Sequence, residues 1–292
     1  MSKLSLGGKA EYAKAPNVGW DTCCRPKTEG GLGLKDSCSW NVALLGKYVW
    51  WLASKKDHMW VKWVNHVYMK GQHWSDYKVP PDCSWSWRKI TFILQKFKQA
   101  YVNDKWLNSG LPYTVKAGYE WVRGVCAAVP WCHLVWNNLN LPKTSFIGWA
   151  IMHHRLLTKD RLLRRDLNVD PLCEICRVCA EDHQHLFMDC PYFLYCFNLL
   201  LASMRLSVQP ANVAHWFSNA RNVTKLQKRV FGAAYVALLY QIWMCRNEAR
   251  VSFFLKRPET VVQQVIKDIK LRFQRLNMNK LSQRDSSWIL IL

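Results

Sequence analysis

Three thiols and one imidazole are grouped in the stretch Cys173-Glu-Ile-Cys176-(x8)-His185-Leu-Phe-(x2)-Cys190. Two close cysteines form one half of a claw, and a histidine and a cysteine a short loop later form the other. Thiolate and imidazole donors in this order and spacing suit tetrahedral coordination of Zn2+ in a structural site. Cys179 and His183 lie in the same loop and could replace Cys176 or His185. Leu186-Phe187 directly behind His185 can anchor the loop in a core, which favours His185 as the nitrogen ligand.

A second group of residues could hold phosphate. Arg155, Lys159, Arg161, Arg164 and Arg165 lead into the finger, and Lys267, Lys270, Arg272 and Arg275 lie near the end of the chain. Each such charge displaces counterions when it meets a nucleic-acid backbone; the plainer reading of each is a solvated face. Gly30-Gly31-Leu32-Gly33 lacks the Gly-Lys-Ser/Thr of a phosphate loop. His153-His154 point two ways from one helix and do not suit one metal. No adjacent Asp pair suited to two-metal phosphoryl transfer and no nucleophile elbow is recognisable, so no active site is nominated.

The elements that must position these groups read as helices. Trp40–Leu52 is a buried helix with Asp36 or Ser37 to cap it, and His58–Met69 a second one with Trp60, Trp63, Val64 and Val67 on one side. Ser84 caps a third helix through Trp87, Ile90, Leu94 and Phe97. Asn103-Asp104 and Asn108-Ser-Gly110 are turn signals, so Tyr101–Tyr113 suits short strands or an irregular loop. Val115–Cys126, Lys143–Leu156 and Lys159–Arg165 follow as helices, the last capped by Thr158. Beyond the finger come a long apolar helix over Thr224–Arg250 and an amphipathic one over Thr260–Leu276, with Val261, Val265, Ile266, Ile269 and Phe273 as its stripe. The fold class is mainly α, a helical domain with a small zinc-stapled loop and at most a few short strands.

The 292 residues carry 41 Lys+Arg against 20 Asp+Glu, a net +21, half the residues being hydrophobic. Such a surface attracts polyanions, nucleic acid first among them. Residues 201–292 hold 15 Lys+Arg and 4 Asp+Glu, whereas Cys173–Cys190 has Arg177 against Glu174, Glu181, Asp182 and Asp189. The basic flanks are therefore better phosphate contacts than the finger. Twelve cysteines behind a polar, charged start fit a reduced, intracellular protein better than a disulfide framework. Val230–Cys245 is too short and too interrupted to span a bilayer, so no membrane partner is expected. The seventeen tryptophans fall mostly at helical spacing among aliphatic residues, which fits core packing better than base stacking.

Three separated segments resemble the region following the polymerase core of plant LINE-type (non-LTR) retrotransposon reverse transcriptases. The first is Gly19-Trp20-Asp21 through Leu34 with Trp40-Asn41-Val42-Ala43-Leu44-Leu45-Gly46-Lys47, and the second is Tyr113-Thr-Val-Lys-Ala-Gly-Tyr119-Glu-Trp-Val. The third runs from Pro130-Trp131 through Leu141-Pro142-Lys143, Trp149 and Leu157–Leu162 to His185-Leu186-Phe187 and Cys190-Pro191. It is similar to the zinc-binding domain of those enzymes, and Ile242-Trp243-Met-Cys-Arg246-Asn247 is similar to a tail motif that follows it. The resemblance implies that Cys173, Cys176, His185 and Cys190 are the zinc ligands. It implies boundaries at 1–112, 113–200 and 201–292: a helical region, the zinc-binding domain and a basic helical tail. The family's catalytic aspartates lie upstream of the segment beginning here. The expectation is a separated, non-catalytic accessory piece, nuclear, binding RNA or DNA and working with a reverse transcriptase core in trans. The competing expectations are a zinc-stabilised protein-interaction module and a functionless retroelement remnant.

Overall fold

The structure is a computed structural model, and it describes residues 18–74, 76–102, 112–209, 213–220, 223–273, 285 and 287–289. Among the described residues the helices are α1 (Trp20–Cys24), α2 (Ser37–Ala53), α3 (Met59–Val64), α4 (Trp85–Val102), α5 (Val115–Arg123) and α6 (Cys132–Val135). They continue with α7 (Pro142–Met152), α8 (Lys159–Leu163), α9 (Pro191–Met204), α10 (Val213–Asn219), α11 (Lys225–Ser252) and α12 (Pro258–Phe273). The extended pairing described is a single antiparallel bridge, Leu172 to Ala180. The mainly helical expectation holds. Two compact units result, one of residues up to Gly31 and from Ala128 onward, the other Leu32–Ala127. These units follow packing, whereas the boundaries at 112/113 and 200/201 follow motif and charge, so the two divisions cut the chain in different places.

In the smaller unit α2 packs on α4 and α5. Asp36 caps α2, its carboxylate accepting from Ser39 N–H at 2.7 Å. Ser84 caps α4 through Trp87 N–H at 3.2 Å. Trp87, Ile90, Leu94 and Phe97 are all buried, at the spacing the sequence predicts. Tyr113 explains why small residues recur here. Its hydroxyl donates to the Ala43 carbonyl at 2.7 Å, and a Cβ on Gly46 or Gly118 would lie 2.6 or 1.8 Å from that hydroxyl oxygen. The Tyr113…Gly118-Tyr119 motif is thus a packing device, completed by the Tyr119 hydroxyl accepting from Asp36 N–H at 3.0 Å.

One face assignment is corrected. After α3 the chain widens into a π-turn, Asn65–Met69, and Val61, Val64 and Met69 face the core while Trp63 and Val67 face outward. The widened turn shifts the 3.6-residue register on which the Trp60/Trp63/Val64/Val67 face depends. Tyr101 and Val102 complete α4, and the turn signals at Asn103-Asp104 and Asn108–Gly110 lie outside the described residues.

In the larger unit α11 is the central helix, packed by α6, α7, α9 and α12. Thr224 caps it in a reciprocal capping box with Gln227. Val230, Phe231, Tyr235, Leu238, Leu239 and Ile242 are buried, so the apolar run is a core helix. No helix among the described residues is long and apolar enough to cross a membrane. The helix α9, Pro191–Met204, lies where the sequence predicts no element. Its apolar residues crowd most of its circumference, with Phe193, Cys196, Phe197, Leu200 and Met204 buried, which blurs helical periodicity.

The glycine segment is a turn, as its lack of a phosphate-loop pattern implies. A Cβ on Gly31 would sit 1.9 Å from the Arg25 carbonyl oxygen, and the Gly30 carbonyl accepts from Trp149 Nε1 at 2.8 Å. His153 Nε2 meets the same carbonyl at 2.6 Å, whereas the His154 ring lies against that of His183, tilted by 42° at 3.9 Å between ring centres. The adjacent histidines do point two ways.

Candidate metal centre

A helix pair, α7 and α8, delivers the chain to the finger. α8 is shorter than its expected span and ends at Leu163. Thr158 stands at its N-cap, but the hydroxyl donates to Asp160 Oδ1 at 2.5 Å instead of accepting from the first turn. The Leu172–Ala180 bridge then closes a knuckle. Cys173 N–H donates to the Cys179 carbonyl at 2.8 Å and Arg177 N–H to the Cys173 carbonyl at 3.0 Å. Arg177 takes positive φ (55°), turning the chain sharply behind Cys176.

The other half comes from a π-turn, His185–Asp189, running straight into α9. Asp182 holds its start, accepting from His185 N–H at 2.7 Å. Cys190 N–H bonds the His185 carbonyl at 2.7 Å, and Pro191 opens α9 at the position where a missing N–H costs nothing. Leu186 and Phe187 are fully buried behind His185 and anchor the loop.

These two halves bring Cys173, Cys176, His185 and Cys190 together, one donor atom from each lying within 4.8 Å of the others. Cys176 Sγ is 3.2 Å from His185 Nε2. Cys173 and Cys190 are completely buried. Their contact sets their ionisation: the hydrogen bond between them and burial push the Cys173 thiol up, while the same bond pulls Cys190 down. The Tyr192 and Phe193 N–H groups at the α9 N-terminus also favour the Cys190 thiolate. Two buried sulfurs in contact can both be thiolates only beside a cation. The donor set therefore fits an ion bonded at about 2.0–2.3 Å. Cys179 is exposed and outside the group. His183 is also outside it, its ring in tilted contact with His154, its pKa lowered to about 4 by burial and by His154.

The flanking basic residues divide sharply. Arg155, Arg164 and Arg165 are exposed and Arg161 is half-buried. They are close enough that burial and the Arg155 and Arg165 charges depress the Arg161 guanidinium. Lys159 does not belong with them. It is 2% exposed, with Nζ 2.8 Å from Glu174 Oε1 and 2.5 Å from the Leu172 carbonyl. Its ammonium satisfies the knuckle, so its place in a phosphate-gripping strip is corrected. On α12, Lys267 and Lys270 are exposed and Arg272 is half-buried, opposite Val261, Val265 and Ile269; Arg275 lies outside the described residues, as does the side chain of Phe273.

Glu181 and Arg246 form a buried ion pair that the sequence did not predict. Glu181, 1% exposed, receives Arg246 from α11: Nη2 to Oε1 at 2.6 Å, and Nε to Oε1 and Oε2 at 3.0 and 3.2 Å. The same carboxylate accepts from Lys159 N–H at 3.0 Å and Glu174 N–H at 3.3 Å. A charged residue directly after the apolar Val230–Cys245 run, within the same expected helix, was the available signal. Arg246 also lies 5.2 Å over the Trp243 ring, so the Trp243…Arg246 tail motif packs on the finger's own acid. Two of the finger's four acids are thereby consumed internally, and its outer surface is less acidic than its composition.

Residues 113–196 match the protein family described as zinc-binding in reverse transcriptase. A protein of Arabidopsis thaliana that carries a provisional ribonuclease H name is 36% identical over 91 residues, covering 30% of this chain and 15% of that protein. The alignment thus takes in well under two thirds of the relative's length. No solved structure matches. The matched segment begins at Tyr113 of the smaller unit and ends in α9 of the larger one. The four-donor cluster lies wholly within the stretch that this chain shares with the zinc-binding domains of reverse transcriptases.

Proposed function

We propose that this chain is a Zn2+-stapled, nucleic-acid-binding accessory region of a plant LINE-type (non-LTR) reverse transcriptase. The observation carrying the reading is the largely buried Cys3His cluster together with the arginine group of exposed Arg155, Arg164 and Arg165 and half-buried Arg161. Cys173, Cys176, His185 and Cys190 would hold the ion, which supplies structural cross-linking of the loop. The arginines, with Lys267, Lys270 and Arg272 of α12, would attract the phosphate backbone of RNA or DNA, positioning it without reading sequence. The role is non-catalytic, with a reverse transcriptase core acting in trans, and nuclear.

Binding of RNA and single-stranded DNA across a salt series tests the reading. Affinity should fall with salt at a slope of about −0.7 per phosphate contact. Undetectable or salt-independent binding would overturn it. An interaction module is the second reading, favoured by the buried Lys159–Glu174 and Arg246–Glu181 pairs, which spend the finger's charge on packing. Under it, zinc binding persists and the salt series is flat.

A further inference from the structure

The smaller unit carries an aromatic surface that neither the metal centre nor the arginine group uses. Along α2 the residues Ala43, Gly46, Val49 and Leu52 are buried. Leu44, Lys47, Tyr48 and Trp51, spaced i, i+3, i+4 and i+7, form a different stripe. Leu44 and Tyr48 are exposed to 41% and 37%, while Trp51 and Trp60 are half-buried against the unit's hydrophobic core. The α3 entry continues the surface: Tyr48 meets Trp51 and Trp60 edge-on at 5.4 and 5.0 Å, and His58 stacks on Trp51 at 4.8 Å. Cations lie over these rings, with Lys47 and Lys56 ammonium groups 5.1 and 5.7 Å from the Trp51 centroid. The carboxylate in this neighbourhood, Asp57, is held by Lys62 at 2.7 Å.

We propose that this lysine-bordered aromatic face, built from Lys47, Tyr48, Trp51, Lys56, His58 and Trp60, binds unpaired nucleic acid by base stacking. Rings interleaved with cations match both parts of a single strand, whose bases offer π faces and whose backbone offers phosphate. A duplex keeps its bases stacked internally and presents mainly phosphates, so Tyr48 and the accessible parts of the Trp51 and Trp60 rings would gain little from it. An apolar protein partner would have to desolvate both ammonium groups. Charge agrees, since residues 32–127 hold 14 Lys+Arg against 6 Asp+Glu. The inference extends the nucleic-acid reading to another unit and to unpaired strands, and shares no residue with the arginine group.

The test is fluorescence anisotropy of the full chain with a labelled oligothymidylate of about fifteen nucleotides and a duplex of equal length. Tyr48→Ala should weaken the single strand about tenfold and leave the duplex unchanged, while Tyr48→Phe keeps wild-type affinity. Should Tyr48→Ala disturb folding by circular dichroism, the exposed pair Lys47→Gln/Lys56→Gln carries the same expectation. No loss for the single strand, or equal losses for single strand and duplex, overturns the proposal. Displacement by single strand but not by an acidic polypeptide supports it, and the reverse overturns it. The Arg155→Ala/Arg164→Ala pair separates the two readings: loss there alone keeps the proposed function and removes this surface, and loss at Tyr48 alone does the opposite.

Discussion

The finger and the smaller unit achieve order by opposite means. Between Cys173 and Cys190 the buried apolar side chains besides the ligand cysteines are Ile175, Leu186 and Phe187, too few to define a core. Order there comes from the four grouped thiol and imidazole donors, which could share one ion, and from buried charges, Lys159 with Glu174 and Arg246 with Glu181. The smaller unit relies instead on interlocked rings such as Phe97 against Tyr113 and Trp121, closed over glycines. Directional interactions hold a small loop at a few points and fail when one is cut. Apolar packing is spread over many contacts and degrades gradually.

The comparison breaks most visibly at the ligands. Cys190→Ser should lower bound zinc from one ion per chain to none by metal analysis, and protection of finger amides should collapse while those of α2, α4 and α5 persist. Loss of protection in both places would show that the two regions are not independently ordered. Arg246→Met comes next, leaving Glu181 buried without its partner. About 3–5 kcal/mol of stability should disappear in urea unfolding. Adding Glu181→Leu should recover much of that loss, because the uncompensated charge goes with it.

In the ring-packed unit, Gly118→Ala would force a methyl against the Tyr113 hydroxyl and should cost about 1–3 kcal/mol. Tyr113→Phe should relieve part of it despite losing the bond to Ala43. Removing the α2 cap with Asp36→Ala should cost about 1 kcal/mol, read as a small drop in thermal midpoint. The smallest stability effect is expected at Arg164, whose pairing with Asp160 is exposed. Arg164→Ala should leave unfolding unchanged while reducing the salt slope of nucleic-acid binding by about one.

The helices of the smaller unit were legible because caps and turn residues are local. Asp36 and Ser84 each mark a helix start by satisfying an N–H group three residues on, as Thr224 does for α11 in the larger unit. The cluster was legible for a similar reason, since four ligands within eighteen residues are a short-range pattern. Lys159 shows where that logic ends. Nothing in the run Arg155…Arg165 distinguishes one base from the next, and its burial depends on Glu174 and the Leu172 carbonyl, which only the closed knuckle presents. The expected shared face of Trp60, Trp63, Val64 and Val67 divides between core and solvent, and the π-turn from Asn65 that carries Val67 leaves no mark in hydrophobic periodicity.

By itself, then, the sequence determined the helical class, a loop of thiol and imidazole donors arranged in two halves, and the basic charge of the chain. Choosing Cys173, Cys176, His185 and Cys190 over Cys179 and His183 took the tertiary structure, because spacing permits either while only the knuckle and the π-turn fix where each side chain points. The sorting of charges also belonged to the fold. Whether an arginine reaches solvent or a buried glutamate depends on residues as distant as Glu181 from Arg246, a separation that no local pattern encodes.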